Sequence, residues 1–184
     1  MVVVCFIDCN FLTFHISYHI LPLVKYLVVV DSPNAVIESE FSQLYPVRDW
    51  FVGRGRVLAY MWFIHKVSSK PVMAYQLGVN SVDDLRRVNW EYRPDMYIVT
   101  TLNAKVRYFV KKFSDEEKDV KVLAVDFNDN NCKPIVDWVT NVKVPSRVDE
   151  LVRYEEKLRR CASRLTMGEI REIVGKVLSN ITKS

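Results

Sequence analysis

Apolar strand-like runs alternating with amphipathic helical stretches predict an α/β protein, a Rossmann-like, mostly parallel sheet flanked by helices, with a C-terminal helical hairpin. Three runs carry this reading. VVVCFIDCNFL is apolar without a break up to Asp8, as a strand buried on both faces is. KYLVVVD ends in the same way on Asp31, and VKVLAVD on Asp126. Ligands of open α/β sheets bind at the carboxyl edge, so that edge is expected to be acidic although the chain carries a net charge of +4.

In chain order, 2–8 reads as a buried strand and 11–21 as a short helix stopped by Pro22; 26–30 is a second strand. Ser32 and Pro33 read as an N-cap and first helical residue, opening a helix over 33–44. The stretch 48–66 is aromatic and basic, and helical in its second half, while 70–75 fits a short strand or an extended connection equally well. Ser81 with Asp84 predicts a capped helix over 82–90, and MYIVTT (96–101) a third strong strand.

Over 104–113, Val106, Phe109, Val110 and Phe113 share one helix face, with Lys105, Arg107, Lys111 and Lys112 outside it. Residues 120–125 are the next strand and 135–144 an edge strand. Ser146 with Asp149, then Thr166 with Glu169, open two amphipathic helices. The expected division is an α/β domain over 1–144 and a hairpin over 145–184, packed on that domain or used for a homodimer.

A chain of 184 residues that is 49% hydrophobic supports one sizeable core and is short for two ordinary domains. Cys5, Cys9, Cys132 and Cys161 form no CxxC pair and read as free thiols of a reducing cytoplasm. The apolar first thirty residues are interrupted by Asp8, Asn10, His15, His19 and Lys25, too often for a membrane span, and no basic leader precedes them. His15 and His19 share a helix face without a further ligand at metal spacing, and no GxSxG nucleophile elbow is present. Valine richness and only two glutamines hint at a thermophilic source.

Carboxylates gathered at strand ends suit Mg²⁺ or Mn²⁺, hard ions that activate water against a phosphodiester. FIDCNFL resembles the first motif of PIN-domain nucleases, DSPNAVIESEF their second, and YIVTTLNAKVRYFVKK the strand and helix around their last acidic positions. The resemblance spans residues 2–126. It implies a metal-dependent ribonuclease, or a degenerate relative, in which Asp8, Glu40 and Asp84 hold Mg²⁺ or Mn²⁺ and Asn10 supports them. Glu38 is the alternative to Glu40, and Asp83 or Asp95 the alternative to Asp84. The family's fourth acid is missing from Thr100, Thr101, Leu102 and Asn103, which leaves Asn103 or Asp126 to substitute, or catalysis lost. Plainer readings stand beside these: Asp8 as a cap of the following helix, Glu38 and Glu40 as solvated, and Asp31 as a turn residue.

Basic residues interleaved with aromatics suit single-stranded RNA or another nucleic acid, with cations on phosphates and rings on bases. Three clusters fit: Arg54 and Arg56 ahead of Tyr60 and Trp62; Arg86 and Arg87 with Trp90; Lys105 and Arg107 with Tyr108. YLVVVDSPN also looks like the second strand of glycosyltransferases with the GT-A fold, which implies a nucleotide-sugar site around Asp31 and Arg56. No Asp-x-Asp motif accompanies it, however. A third reading is a non-catalytic binding module that works through the hairpin.

Overall fold

The computed structural model describes residues 1–8, 10–30, 72–75 (as backbone) and 79–183. The expected helix over 33–44 and the aromatic stretch 48–66 lie outside them. Among the described residues the strands are β1 (Val2–Ile7), β2 (Val24–Val30), β3 (Val72–Tyr75), β4 (Met96–Val99), β5 (Val122–Phe127) and β6 (Pro134–Trp138). The helices are α1 (Phe11–Ile20), α2 (Val82–Tyr92), α3 (Ala104–Glu116), α4 (Val148–Ala162) and α5 (Met167–Lys183).

The six strands form one sheet in the order β3-β2-β1-β4-β5-β6. The first five are mutually parallel, and β6 closes one edge antiparallel to β5. The fold is therefore the Rossmann-like α/β arrangement that the alternating pattern predicts. The ambiguous 70–75 stretch contributes the strand β3, paired with β2.

Strand periodicity divides the core into two layers, because successive side chains point to opposite faces. Val4, Phe6, Leu27, Val29, Met96, Ile98, Leu123 and Val125 pack with α1 and α5. Cys5, Ile7, Val28, Val30, Tyr97, Val99 and Ala124 pack with α2 and α3. Helices on both sides explain why β1 and β2 read as continuous apolar runs rather than alternating ones.

The hairpin spends its apolar faces inside the chain. Ile170, Ile173, Val174, Val177 and Ile181 of α5 join the first layer, while Tyr154, Leu158 and Cys161 of α4 pack with Ala104 and Phe127. No helix among the described residues is long and apolar enough to cross a membrane.

Local signals account for most helix starts. Asn10 caps α1 in a reciprocal box with Thr13, and Ser81 caps α2 in one with Asp84. Thr166 and Glu169 exchange hydrogen bonds ahead of α5. The start of α4 departs from expectation: its N-cap is Arg147, without a side-chain cap, and Asp149 pairs with Arg147 and Arg153 at 3.5 and 3.7 Å. Two strand boundaries also shift. Pairing with β6 runs on to Phe127 opposite Pro134, so Asp126 lies within β5 rather than at its exit. The predicted 135–144 strand stops at Trp138, where the Asn141 N–H turns back to the Trp138 carbonyl at 2.8 Å.

Candidate functional site

The strand order fixes where a ligand site belongs. The chain leaves β1 for β2 and β3, then returns to β4 on the other side of β1. The carboxyl ends of β1 and β4 therefore flank a topological switch point, the crevice that open α/β sheets use for ligands. Asp8 and Asn10 come directly after β1 there; Thr100, Thr101 and Asn103 come directly after β4.

These residues form a compact polar network. The Asn10 side-chain amide donates to the Thr100 carbonyl at 2.9 Å, and its oxygen accepts from the Leu12 and Thr13 N–H groups at 2.9 and 3.4 Å. The Thr13 hydroxyl donates to the Asp8 carbonyl at 3.0 Å and lies 2.9 Å from the Thr100 hydroxyl. Thr13, Thr100 and Thr101 are buried. On the β4 side, Asn103 accepts from the Val106 N–H at 3.1 Å, and the Glu155 carboxylate from the Ala104 N–H at 3.0 Å. Both helices that open onto the crevice thus have first-turn donors engaged by side chains of the chain itself.

Asp8 has a role that sequence reasoning did not assign. Its φ is 78, in the left-handed region, and its N–H donates to the Val30 carbonyl at 2.7 Å. It makes the tight β1–α1 turn, a task for which nucleotide-binding sheets favour glycine. The helix cap beside it is Asn10, not Asp8.

The other expected metal ligands serve local structure. Asp84 accepts from the Asn80 and Ser81 N–H groups at 2.8 and 3.1 Å. Asp83 pairs with Arg86 at 2.7 Å. Asp95 accepts from the Val3 N–H at 2.7 Å, at the start of β1 and hence at the opposite edge from Asp8. Glu38, Glu40 and Asp31 lie outside the described residues. Among the described residues no group of three His, Cys, Asp or Glu side chains is placed to hold a metal ion, His15 and His19 included.

The cationic surface is also reassigned. Arg86 is held by Asp83, Glu116 and Glu117, and Arg87, which is largely exposed, lies 3.6 Å from Asp84. Lys105 is exposed, 6.0 Å from the centre of the Phe109 ring. Arg107 is only 2% exposed, although the amphipathic pattern places it outside the apolar face. The helix is buried on a second stripe as well: Ala104, Arg107 and Ser114 face inward beside the Val106–Val110–Phe113 face. Small residues at 104 and 114 were the available signal. Arg54 and Arg56 lie outside the described residues.

Arg107 anchors a second polar cluster that the sequence did not announce. Its guanidinium donates to the Thr101 carbonyl at 2.7 Å, to the Val125 carbonyl, and to the Tyr154 hydroxyl at 3.3 Å. Burial pushes the Tyr154 phenol up to about 12; Arg107 acts to lower it and the Asp126 carboxylate to raise it. The Lys157 ammonium is 5.1 Å from the centre of the Tyr154 ring and 4.0 Å from Asp126, and it donates to Asp129 at 2.6 Å. That hydrogen bond holds the Asp129 carboxyl below its ordinary value. Asp126, Asp129, Tyr154 and Lys157 line a cleft of about 640 Å³ between β5, the segment 141–145 and α4, with Arg107 behind Tyr154.

The expectation of four free thiols fails between α4 and the β5–β6 loop. Cys132 and Cys161 form a disulfide, with Cα atoms 5.1 Å apart, because the end of α4 returns to the β5–β6 loop. Cys5 is free and buried, and burial pushes its thiol up. Cys9 lies outside the described residues.

No model of a known protein family matches the sequence, and no curated protein matches it. Solved structures do. E. coli MccB with ATP superposes with a TM-score of 0.59 at 14% identity, over 99% of this chain and 56% of MccB. The microcin C7 biosynthetic enzyme MccB in complex with N-formylated MccA gives 0.57 at 14%, over 99% and 57%. At this identity the likeness shows the fold, and the chain spans just over half the length of MccB.

The nuclease reading is corrected here. The fold is that of a biosynthetic enzyme solved with ATP, and Asp8 and Asp84 are taken up by a turn and a helix cap. The glycosyltransferase alternative finds no counterpart in these likenesses, and its Asp31 and Arg56 lie outside the described residues. The apolar faces of the hairpin are buried within the chain, so a surface of the kind the binding-module alternative places on the hairpin would have to use its outer faces.

Proposed function

We propose that this chain is a Rossmann-type domain that binds an adenine nucleotide at the carboxyl edge between β1 and β4. The observation that carries the reading is the switch point itself, with Asn10, Thr100 and Thr101 gathered beside the left-handed turn at Asp8. The fold likeness to MccB, solved with ATP, supports the choice of nucleotide. A cytoplasmic setting, where adenine nucleotides are supplied, goes with it. The reading is one of binding rather than of a complete reaction.

The edge also sets the expected strength. No glycine stands between β1 and α1, and Asn10 already engages the Leu12 and Thr13 N–H groups. The phosphates must compete with that cap for the positive end of α1, so binding is expected to be weak.

Titration with ATP, followed by amide chemical shifts, tests this. Saturable shifts are expected at residues 10–14 and 100–104, and Asn10→Gly, which frees two donors, tightens binding several-fold. Absence of saturable shifts in both proteins, or shifts confined to α4 and α5, would remove the reading.

A further inference from the structure

Cys132 and Cys161 join two segments that both contribute to the lining of the 640 Å³ cleft and touch through Lys157 and Asp129. Asn128 and Asp129 of the β5–β6 loop form one wall, and Tyr154 and Lys157 of α4 another. The loop keeps its own shape. The Asn128 N–H donates to the Lys133 carbonyl at 2.8 Å and the Cys132 N–H to the Asn128 carbonyl at 3.1 Å. The Asn128 and Asn131 side chains accept from the Asn130 and Lys133 N–H groups.

The loop is tied to α4 by the disulfide, by Lys157 donating to Asp129 and to the Phe127 carbonyl at 3.2 Å, and by packing of Phe127 and Cys132 against Tyr154 and Leu158. The Asp129 side chain is 82% exposed, so that ion pair is open to screening by salt. Cys132 is partly exposed and holds a φ of 57, a backbone that L residues keep only where their surroundings impose it. Cys161 is buried beside Leu158 and Ala162. Cys132 is thus the less shielded partner of the pair, while Cys161 is held within the apolar cluster.

We propose that Cys132 and Cys161 are a reversible thiol–disulfide latch that seats the β5–β6 loop on α4 and so sets the width of the cleft. In closing, the Cys132 thiolate attacks one sulfur of a small-molecule disulfide, such as oxidised glutathione, and one small thiolate leaves. The Cys161 thiolate then attacks the Cys132 sulfur of the mixed disulfide and expels the second. Two protein thiols are oxidised, one small disulfide is reduced to two thiols, and the two protons of the pair pass to them. Opening is the reverse, with the small thiol as reductant. With the latch open, Lys157 and the apolar packing of Phe127 and Cys132 on α4 remain between loop and helix, and the Lys157 contribution becomes sensitive to salt.

The test uses the full chain in glutathione buffers of graded poise, with alkylation and mass spectrometry at each cysteine and hydrogen exchange along the backbone. Cys132 and Cys161 are expected to become alkylated together as the buffer turns reducing, while Cys5 stays protected. Exchange over 128–133 and 150–161 then rises about tenfold, and further at high salt. Cys132→Ser should show the fast exchange in every buffer. Free thiols at 132 and 161 in the most oxidising buffer would overturn the proposal. So would a pair that stays closed in the most reducing one, or exchange that ignores the redox state; the wild-type chain alone decides all three.

Discussion

The Arg107 guanidinium on α3 lies 3.3 Å from the Tyr154 hydroxyl on α4. Among the described residues it makes no ion pair; the Thr101 carbonyl just past β4 and the Val125 carbonyl of β5 meet the buried charge instead. Arg107→Met leaves the Thr101 and Val125 carbonyls and the Tyr154 hydroxyl without their donor. The expected loss is about 3 kcal/mol of unfolding free energy. Arg107→Lys should recover only part of it, because a point charge cannot span the fork of acceptors. Urea titration checks this, and an unchanged midpoint for Arg107→Met would contradict the described network.

Alkaline stability depends on the same cluster. Burial raises the phenols of Tyr154, Tyr97 and Tyr26, Tyr154 to about 12. The unfolded chain releases these protons near the ordinary tyrosine value, about 10, while the folded chain keeps them. Their stabilising contribution is therefore intact below that value and is lost as pH rises toward about 12. Urea midpoints should fall steadily across this window, less steeply for Tyr154→Phe. A midpoint flat to the upper end would show that the phenols ionise without resistance.

At Asp8 the informative comparison is between two substitutions. Asp8→Gly and Asp8→Ala both remove the carboxylate, so their difference isolates the backbone at φ 78. The alanine protein should be less stable by about 1 kcal/mol, since a Cβ disfavours the left-handed region. Equal thermal midpoints would place the importance of this position in its side chain instead.

The bridge between Cys132 and Cys161 spans a sequence separation of 29. Chain-entropy reasoning puts its stabilising effect at about 3.5 kcal/mol. Cys132→Ala/Cys161→Ala should lower the unfolding free energy by that order under oxidising conditions and leave it little changed from wild type under reducing ones. A deficit of the same size in both buffers would point to lost packing rather than a lost crosslink.

Much of the fold was legible because its determinants lie within a few residues of each other. The apolar runs at 2–7, 96–99 and 122–127 became parallel strands, and the Ser81/Asp84 and Thr166/Glu169 pairs became helix caps, since a cap is a contact between residues three apart. The failures share the opposite property. A strand-end aspartate serves equally as a metal ligand, a cap or a left-handed turn, and only its neighbours across the sheet edge tell these roles apart. At Asp8 those neighbours come from beyond β4: the Thr100 carbonyl and hydroxyl lock the Asn10–Thr13 box beside it.

Local periodicity, composition and capping chemistry were thus enough for the alternating α/β plan and most helix starts; the acidic edge they also suggested is, among the described residues, mainly one of Asn10, Thr100 and Thr101, with Asp126 inside β5. The burial of Arg107, the Cys132–Cys161 bond and the cleft lined by Tyr154 and Lys157 depend on α4 folding back over β5. These are contacts across 47 residues for Arg107 with Tyr154 and 29 for the cysteines. A helical pattern reports which residues share a face but not how many neighbours the helix has; a second neighbour turned the polar side of α3 into core.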